Sequence, residues 1–586
     1  MIIDFDTAQP EKELQGVKAK LTALSLTRLI VFLALGAVVV VGISETRWLL
    51  SLFFPLSFLF IYLIVRFNRQ KDKQAFLEAV IQIRADKEKR LARELSSFDP
   101  GEKFRDKNHP FANDLDLFGD HSLFQLINHT VNEGGKSKLA HWMLTESDPH
   151  TAQKRYSAIT ELSQKEGFLL NFEALGKAFW KEEKSKGPFY EWLKTPSIWR
   201  SWYIIPAVLG PVGGILVLAG VLFAGFPVSL ISLFILIGMG FLGLVFKPLL
   251  EISKAMPNEG DLKTLSAWAR QLENINFSDS YLQNLQHPVS NGNFKASDAL
   301  KTLEQQSFMV QNRINLMYLI FNLLFWVDFP VLMRLEKWKK QYAAQVQQWD
   351  DLFNEWQAVV SLAAFTADEK LSCEMYWTED LTMEAENVKH PLIPKSSCVG
   401  NDFHLLGDKQ IVLLTGSNMS GKTTFMRTLG INIVLANLGL NPFAEKFILG
   451  PFLLFTSMRN TDNLGENVSS FYAELARIRE LLLKAEGGTP VFFLLDEILK
   501  GTNTTDRIMG SEALIRQLIN SQSKGIISTH DIELSELSAK TPSLANASFH
   551  SEIRENEILF DYKIKGGPCP SFNAHKLMEL MGIRFS

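Results

Sequence analysis

Apolar and polar positions along this chain are segregated into long blocks. Leu29 to Ile43 is an unbroken apolar run, Ser44-Glu-Thr-Arg47 interrupts it, and Trp48 to Val65 is a second run. Each is near the lower limit for crossing about 30 Å of hydrocarbon, and together they predict a tight hairpin of two membrane helices. A cleaved signal peptide fits poorly, because the apolar stretch starts late and no small-residue cleavage pattern separates the two runs. From Ser201 to Phe246 no residue is charged, and Gly225-Phe-Pro227 breaks the stretch near its middle, which predicts a second hairpin. Ile314 to Val327 is also largely apolar but too short to cross, and it ends at Asp328 and Pro330, so a buried helix is expected there.

Between these blocks the pattern is mainly helical. Lys73 to Leu95 mixes Ala, Leu and Ile with dense charge, as a solvated or coiled spacer helix would. Trp338, Tyr342, Val346, Trp349, Leu352 and Trp356 recur at helical spacing, which predicts a packing stripe rather than a ligand box. Toward the C-terminus the period changes to short β-branched and Leu-rich runs: Ile411–Thr415, Pro490–Leu495 and Gly525–Thr529. The expected organisation is an N-terminal segment with the first hairpin (1–75, spans 29–43 and 48–65), a charged connector helix (76–112), a helical core (113–200), the second hairpin (201–247), a second helical part (248–385) and an α/β domain (386–586).

Composition sharpens this. A mean hydropathy of +0.03 is high for a soluble chain of this size, and the apolar excess is concentrated in the blocks. Acidic and basic residues nearly balance, 64 against 60, so the chain as a whole carries no signature of nucleic-acid binding. Cys373, Cys398 and Cys569 lie far apart without paired spacing, which argues against a disulfide framework or a zinc site. Lys18, Lys20 and Arg28 precede the first hairpin, and Arg66, Arg69, Lys71 and Lys73 follow it. Positive flanks stay in the cytoplasm, so a multi-pass protein of the cell membrane is expected, with both termini and the α/β domain cytoplasmic.

The chemistry sits in that domain. The strand Ile411–Thr415 runs into Gly416-Ser-Asn-Met-Ser-Gly421-Lys422-Thr423, and a helical pattern begins at Thr424. This is G-x-x-x-x-G-K-T in a strand-loop-helix context, so Gly416, Ser417, Asn418, Met419, Ser420, Gly421, Lys422, Thr423 and Thr424 are the candidate phosphate cradle. Lys422 is placed for the β- and γ-phosphates and Thr423 for Mg²⁺. The apolar strand Pro490–Leu495 ends in Asp496-Glu497. Asp496 is the candidate second Mg²⁺ ligand, and Glu497 is placed to orient or deprotonate the attacking water. The strand Gly525–Thr529 ends at His530, where an imidazole would sense the γ-phosphate.

These motifs resemble the MutS family. The loop Gly416 to Arg427, with its Asn-Met pair, is similar to that family's phosphate loop. Asp496-Glu-Ile-Leu-Lys-Gly-Thr-Asn-Thr504 is similar to the signature after its acidic pair, with Leu499 and Lys500 departing from the usual Gly-Arg. His390-Pro391 and Asn401-Asp402 match the lead-in, and Leu117–Phe124 through Leu139 to Leu162 resembles, more weakly, the start of the helical core. The resemblance implies an α/β P-loop NTPase domain of ABC/MutS type behind a mainly α-helical core or lever region. It implies ATP with Mg²⁺ as cofactors and a homodimer with composite sites, Ser469 reaching the nucleotide of the opposite subunit.

The family's N-terminal mismatch-reading domain is expected to be absent, since fewer than 30 residues precede the first span. Phe76-Leu-Glu78 and Phe353-Asn-Glu355 both spell Phe-x-Glu within helical stretches, as a coincidence would. The function expected is a membrane-anchored, mismatch-repair-like ATPase switch working on DNA. The competing readings are a membrane switch or scaffold acting on a protein partner without DNA, and an ABC-type transporter. Against transport, nothing like Leu-Ser-Gly-Gly-Gln lies between the loop and Asp496. The roughly 70 residues between the two nucleotide motifs exclude a chromosome-organising ATPase with a long coiled coil.

Overall fold

The computed structural model describes residues 8–44, 47–145, 148–181, 184–291, 294–405, 407–417, 419–459, 470–554 and 557–570. The chain forms two compact units. One comprises described residues within 1–86, 130–135 and 167–357; the other, those within 87–129, 136–166 and 358–586.

The first unit is helical. Helix Pro10–Ser44 and the start of helix Phe53–Leu91 run side by side, with Val17, Leu21 and Leu77 buried between them against Leu14 and Phe67. Lys18 pairs with Glu78 at 3.3 Å and Lys73 with Glu13, so charge gathers at the end of the pair away from the apolar runs. In the solvated or coiled helix expected from Lys73 onward, Phe76, Leu77 and Val80 are fully buried, because the apolar positions of that stretch form one stripe facing neighbours. Among the described residues, three helices are long and apolar enough to cross a bilayer: Pro10–Gly42, Ser201–Phe223 and Ser229–Ala255. The second run expected to span is not among them. A 3-10 turn occupies Arg47–Leu52, and regular apolar helix starts only at Phe53.

Aromatic packing organises the remainder of this unit. Trp268 is fully buried, stacks on Phe172 at 4.5 Å and donates its indole N–H to the Phe172 carbonyl at 2.7 Å. Trp338, Trp349 and Trp356 are buried along one side of helix Asp328–Glu369, which bears out the packing stripe. Phe76 and Phe353 are also buried, so neither Phe-x-Glu triplet presents a ring to a ligand. The buried helix expected across 314–327 is overturned. Helix Leu316–Phe325 forms, but Ile314 is 89% exposed and Leu316 69%, because its polar residues Tyr318 and Asn322 turn inward instead, toward Asp328.

The second unit is α/β. Its strands, in chain order, are β1 (Glu374–Trp377), β2 (Met383–Val388), β3 (Asn401–Leu405), β4 (Ile411–Gly416), β5 (Lys446–Leu449), β6 (Leu453–Ser457), β7 (Val491–Asp496), β8 (Lys524–Ser528), β9 (Leu544–Arg554) and β10 (Glu557–Gly566). A six-stranded sheet has the order β10-β9-β4-β8-β7-β6, parallel except for the β9–β10 pair, and a four-stranded sheet has the order β1-β5-β2-β3. Parallel strands covered on both faces need continuous apolar runs, which is why β4 and β7 read as uninterrupted aliphatic and aromatic sequence. Ile411, Leu413, Phe493 and Leu495 pack one face of the sheet against Leu481, Ile515 and Leu518. The chain leaves β4 for the far edge at β6 and returns through β7 and β8. The strand ends carrying the nucleotide motifs therefore lie side by side, where open α/β sheets bind ligands.

Candidate nucleotide-binding site

The loop after β4 is built for close backbone approach. Gly421 has φ 109 and precedes helix Lys422–Leu438, and Met419 holds φ 70 with its side chain 80% exposed. A side chain at Gly421 would be strained by that φ and would meet the Tyr562 ring at 3.2 Å. Lys422 is buried and turns its ammonium back into the loop, donating to the carbonyls of Gly416 at 2.7 Å and Ser417 at 3.0 Å. Burial pushes the Lys422 ammonium down to about 8, against the pull of the nearby Asp496 carboxylate. Ser420 donates to the Ser417 carbonyl at 2.7 Å, while Thr424 is exposed at the helix start. Asn418 lies outside the described residues.

Thr423 and Asp496, distant in sequence, meet at the strand ends: Thr423 Oγ1 donates to Asp496 Oδ2 at 2.6 Å. The other carboxylate oxygen, Asp496 Oδ1, is shielded from solvent and has no hydrogen-bond partner among the described residues, as is the Ser417 hydroxyl. An orphaned carboxylate oxygen beside a threonine hydroxyl and a phosphate-loop lysine is a donor set that suits Mg²⁺. That ion takes one or two protein oxygens and draws its other ligands from phosphate and water. No group of three or more His, Cys, Asp or Glu side chains that could hold a metal occurs among the described residues.

Glu497 sits in strained backbone, φ 49, with its amide donating to the Ser528 carbonyl at 3.0 Å. Its carboxylate is held from two sides, by His530 Nε2 at 2.8 Å and by the Lys500 ammonium. Burial, with Lys422 and Lys500 nearby, holds the His530 imidazole below its usual range. A carboxylate can only accept, so Nε2 carries the hydrogen in this contact.

The loop after Glu497 is itself secured. Leu499 also adopts positive φ, 59, and its amide donates to Glu474 Oε1. Burial raises the Glu474 carboxyl above the usual carboxylate range, against the bonds it accepts from this loop. Arg507 grips Asp531, beside His530, through two bonds at 2.8 and 2.6 Å. A further support comes from the stretch before Leu117: Asp116 bridges Arg427 at 3.2 Å and Arg459 at 2.5 Å, and Asp114 accepts from Thr456 at 2.7 Å. Glu474, Asp531 and Asp116 were not identified from sequence. Glu474 lies between the two nucleotide motifs, but Asp116 lies hundreds of positions from its partners and carries no local signal. Ser469 falls outside the described residues.

MutS domain V matches residues 412–583. DNA mismatch repair protein MutS of Staphylococcus haemolyticus is 30% identical over 247 residues, 41% of this chain and 28% of that protein. The protein of the same name from Thermotoga maritima is 31% identical over 204 residues, 34% of this chain and 26% of that protein. The one from Geobacillus sp. strain WCH70 is 27% identical over 263 residues, 43% and 30% respectively. This chain thus spans less than a third of the length of each of these relatives. The loop, the acidic pair and the domain V match thus fall in one α/β unit, whose C-terminal part is similar to domain V of MutS.

Proposed function

We propose that the chain is a membrane-anchored, Mg²⁺-dependent ATPase that works as a dimeric switch on DNA. The contact of Thr423 with Asp496 beside the folded-back Lys422 carries the ATPase reading. On binding, Lys422 leaves the Gly416 and Ser417 carbonyls for the β- and γ-phosphates, and the amides after Gly416 wrap the phosphate oxygens. Thr423 and Asp496 would hold Mg²⁺, which when bound neutralises charge on the transferring phosphoryl group. Glu497 accepts a proton from the attacking water, and His530, donating through Nε2, fixes the carboxylate. Lys500 lies against the Glu497 carboxylate, so this base is released only when that pair opens.

Anchoring is supported by the apolar helices and by large apolar side chains left exposed along them, such as Leu33 at 61%, Leu216 at 64% and Leu236 at 67%. The cytoplasmic placement of the ATPase is supported by the lysines and arginines flanking the first hairpin. Action on DNA is supported by the relatives, DNA mismatch repair proteins that this chain matches in the motor region. Detergent-purified protein should hydrolyse ATP only with Mg²⁺. Glu497→Gln should keep nucleotide affinity while losing at least a hundredfold in turnover, and Lys422→Ala should lose tight binding. Duplex, mismatched and branched DNA, each at two salt concentrations with and without ATP, test the DNA arm. Salt-sensitive binding that responds to ATP supports it, and its absence alongside intact hydrolysis leaves a switch acting on a protein partner.

A further inference from the structure

Helix Leu316–Phe325 has its polarity inverted. The large apolar side chains of the helix and its lead-in, Ile314, Leu316, Met317, Ile320 and Phe321, are between 43% and 89% exposed, while Asn322 is buried. In water the opposite partition is expected, and a contiguous apolar face of this kind is covered by something apolar. The polar groups of the segment are spent on one another. Arg313 and Asp328, which bracket it, form a pair at 3.0 Å whose side chains are only 8% and 1% exposed. Tyr318 donates to the same carboxylate at 2.8 Å, and Asn322 Oδ1 accepts from the Asp328 amide at 2.9 Å. Ionisable groups tolerate low dielectric only when paired in this way.

The C-terminal half of the helix is fitted to the second apolar hairpin. A Cβ on Gly214 would lie 2.1 Å from the Leu324 carbonyl, and one on Gly238 would lie 2.1 Å from the Trp326 indole nitrogen. Small residues on one helix thus admit the close approach of another, as membrane helices allow. Trp326 is fully buried, stacks on Phe234 at 4.8 Å and ends the helix with φ 49, after which the chain bends by 94° into Asp328–Glu369. The exposed apolar face is therefore continuous with the outward faces of Ile204–Phe223 and Ser229–Ala255. Its 10 residues rise only about 15 Å, half a hydrocarbon core.

We infer that residues 314–326 form a re-entrant membrane element, a short helix immersed among lipid acyl chains on the cytoplasmic side and seated against the second hairpin, without crossing the bilayer. This rests on the proposal that the hairpins are membrane spans, and the test separates the two. Single cysteines at Met317, Phe321, Leu216 and Glu480, in a background with Cys373, Cys398 and Cys569 replaced by serine, are labelled with bimane. Variants that elute as the parent protein are reconstituted in phosphatidylcholine vesicles containing doxyl-labelled lipid. Met317 and Phe321 should lose at least half their fluorescence, more with doxyl near the headgroup than deep in the chain, with little quenching by aqueous iodide. Leu216 should be quenched by lipid and Glu480 by iodide. Lipid quenching at Leu216 with iodide quenching at Met317 and Phe321 overturns the inference while leaving the spans intact. Lipid quenching at Leu216 with neither quencher reaching Met317 and Phe321 also overturns it, and assigns the face to a second copy of the chain. Iodide quenching at Leu216 removes the membrane reading and this inference together.

Discussion

Lys422 illustrates how much of the site one side chain can report. Its ammonium is buried and held near pKa 8 in the folded-back position, below the ordinary lysine value of 10.5. Bound triphosphate stabilises the charged form, so the pKa with nucleotide is higher than without it. The sign follows: below about pH 8 the free loop already carries the charge and affinity is flat. Above it, binding requires uptake of a proton, and affinity falls by up to tenfold per pH unit until the bound-state value is reached. Nucleotide titrations between pH 7 and 10 should show this break, and Lys422→Ala should lose the break along with tight affinity. A flat profile in the parent protein would mean the lysine does not meet the phosphates. The residues of this site were legible because a phosphate loop needs its glycines, lysine and hydroxyl at fixed local spacing, and the acid pair must terminate a buried strand. What was not legible is what holds them: Asp116 reaches Arg427 and Arg459 across more than 300 positions, and such pairings are set by the fold rather than by spacing.

At the scale of the element, the loop after β7 carries the base in backbone that does not hold itself. Glu497 and Leu499 both have positive φ, each costing on the order of 1 kcal/mol or more for a non-glycine residue, and Leu499 stands where the family's usual glycine would adopt this conformation freely. Glu474, from helix Ser470–Glu486, accepts the Leu499 amide and offsets that strain, as a hydrogen bond to a charged acceptor worth about 1.5–3 kcal/mol would. Glu474→Ala should therefore slow turnover about tenfold or more while nucleotide affinity stays within about twofold, since the phosphate loop is untouched. Glu474→Gln keeps an acceptor oxygen and should recover most of the rate. Steady-state kcat beside fluorescent-nucleotide affinity in the two variants distinguishes this from loss of folding, which would lower both. Helix Leu316–Phe325 shows the complementary limit of sequence reading. Length alone excluded a crossing and so suggested burial, but length cannot distinguish a core helix from one whose apolar face is exposed beside longer apolar helices. Only the inward turn of Tyr318 and Asn322 does.

At the scale of the whole molecule, the resemblance to the MutS family implies that neither subunit completes its own site. The phosphate loop, Asp496 and Glu497 lie in one chain, while the resemblance assigns Ser469 to the nucleotide of the partner. Two inactive chains should then complement each other. Lys422→Ala cannot hold ATP but keeps its serine, and Ser469→Arg holds ATP but obstructs the site it faces. Each alone should hydrolyse ATP at background rates. Co-reconstituted in one bilayer, a mixed dimer has one intact site, formed by the loop of the Ser469→Arg chain and the serine of the Lys422→Ala chain, so part of the parent ATPase rate should return. The proposed anchoring strengthens the test, because chains confined to one membrane meet at high effective concentration and the mixed dimer forms readily. Recovery that scales with the fraction of mixed dimers, measured by differently tagged copies, establishes a composite site. Mixed dimers that assemble and stay at background, or a Ser469→Arg chain that turns over normally on its own, would place the whole reaction within a single subunit and leave the dimer a role other than catalysis.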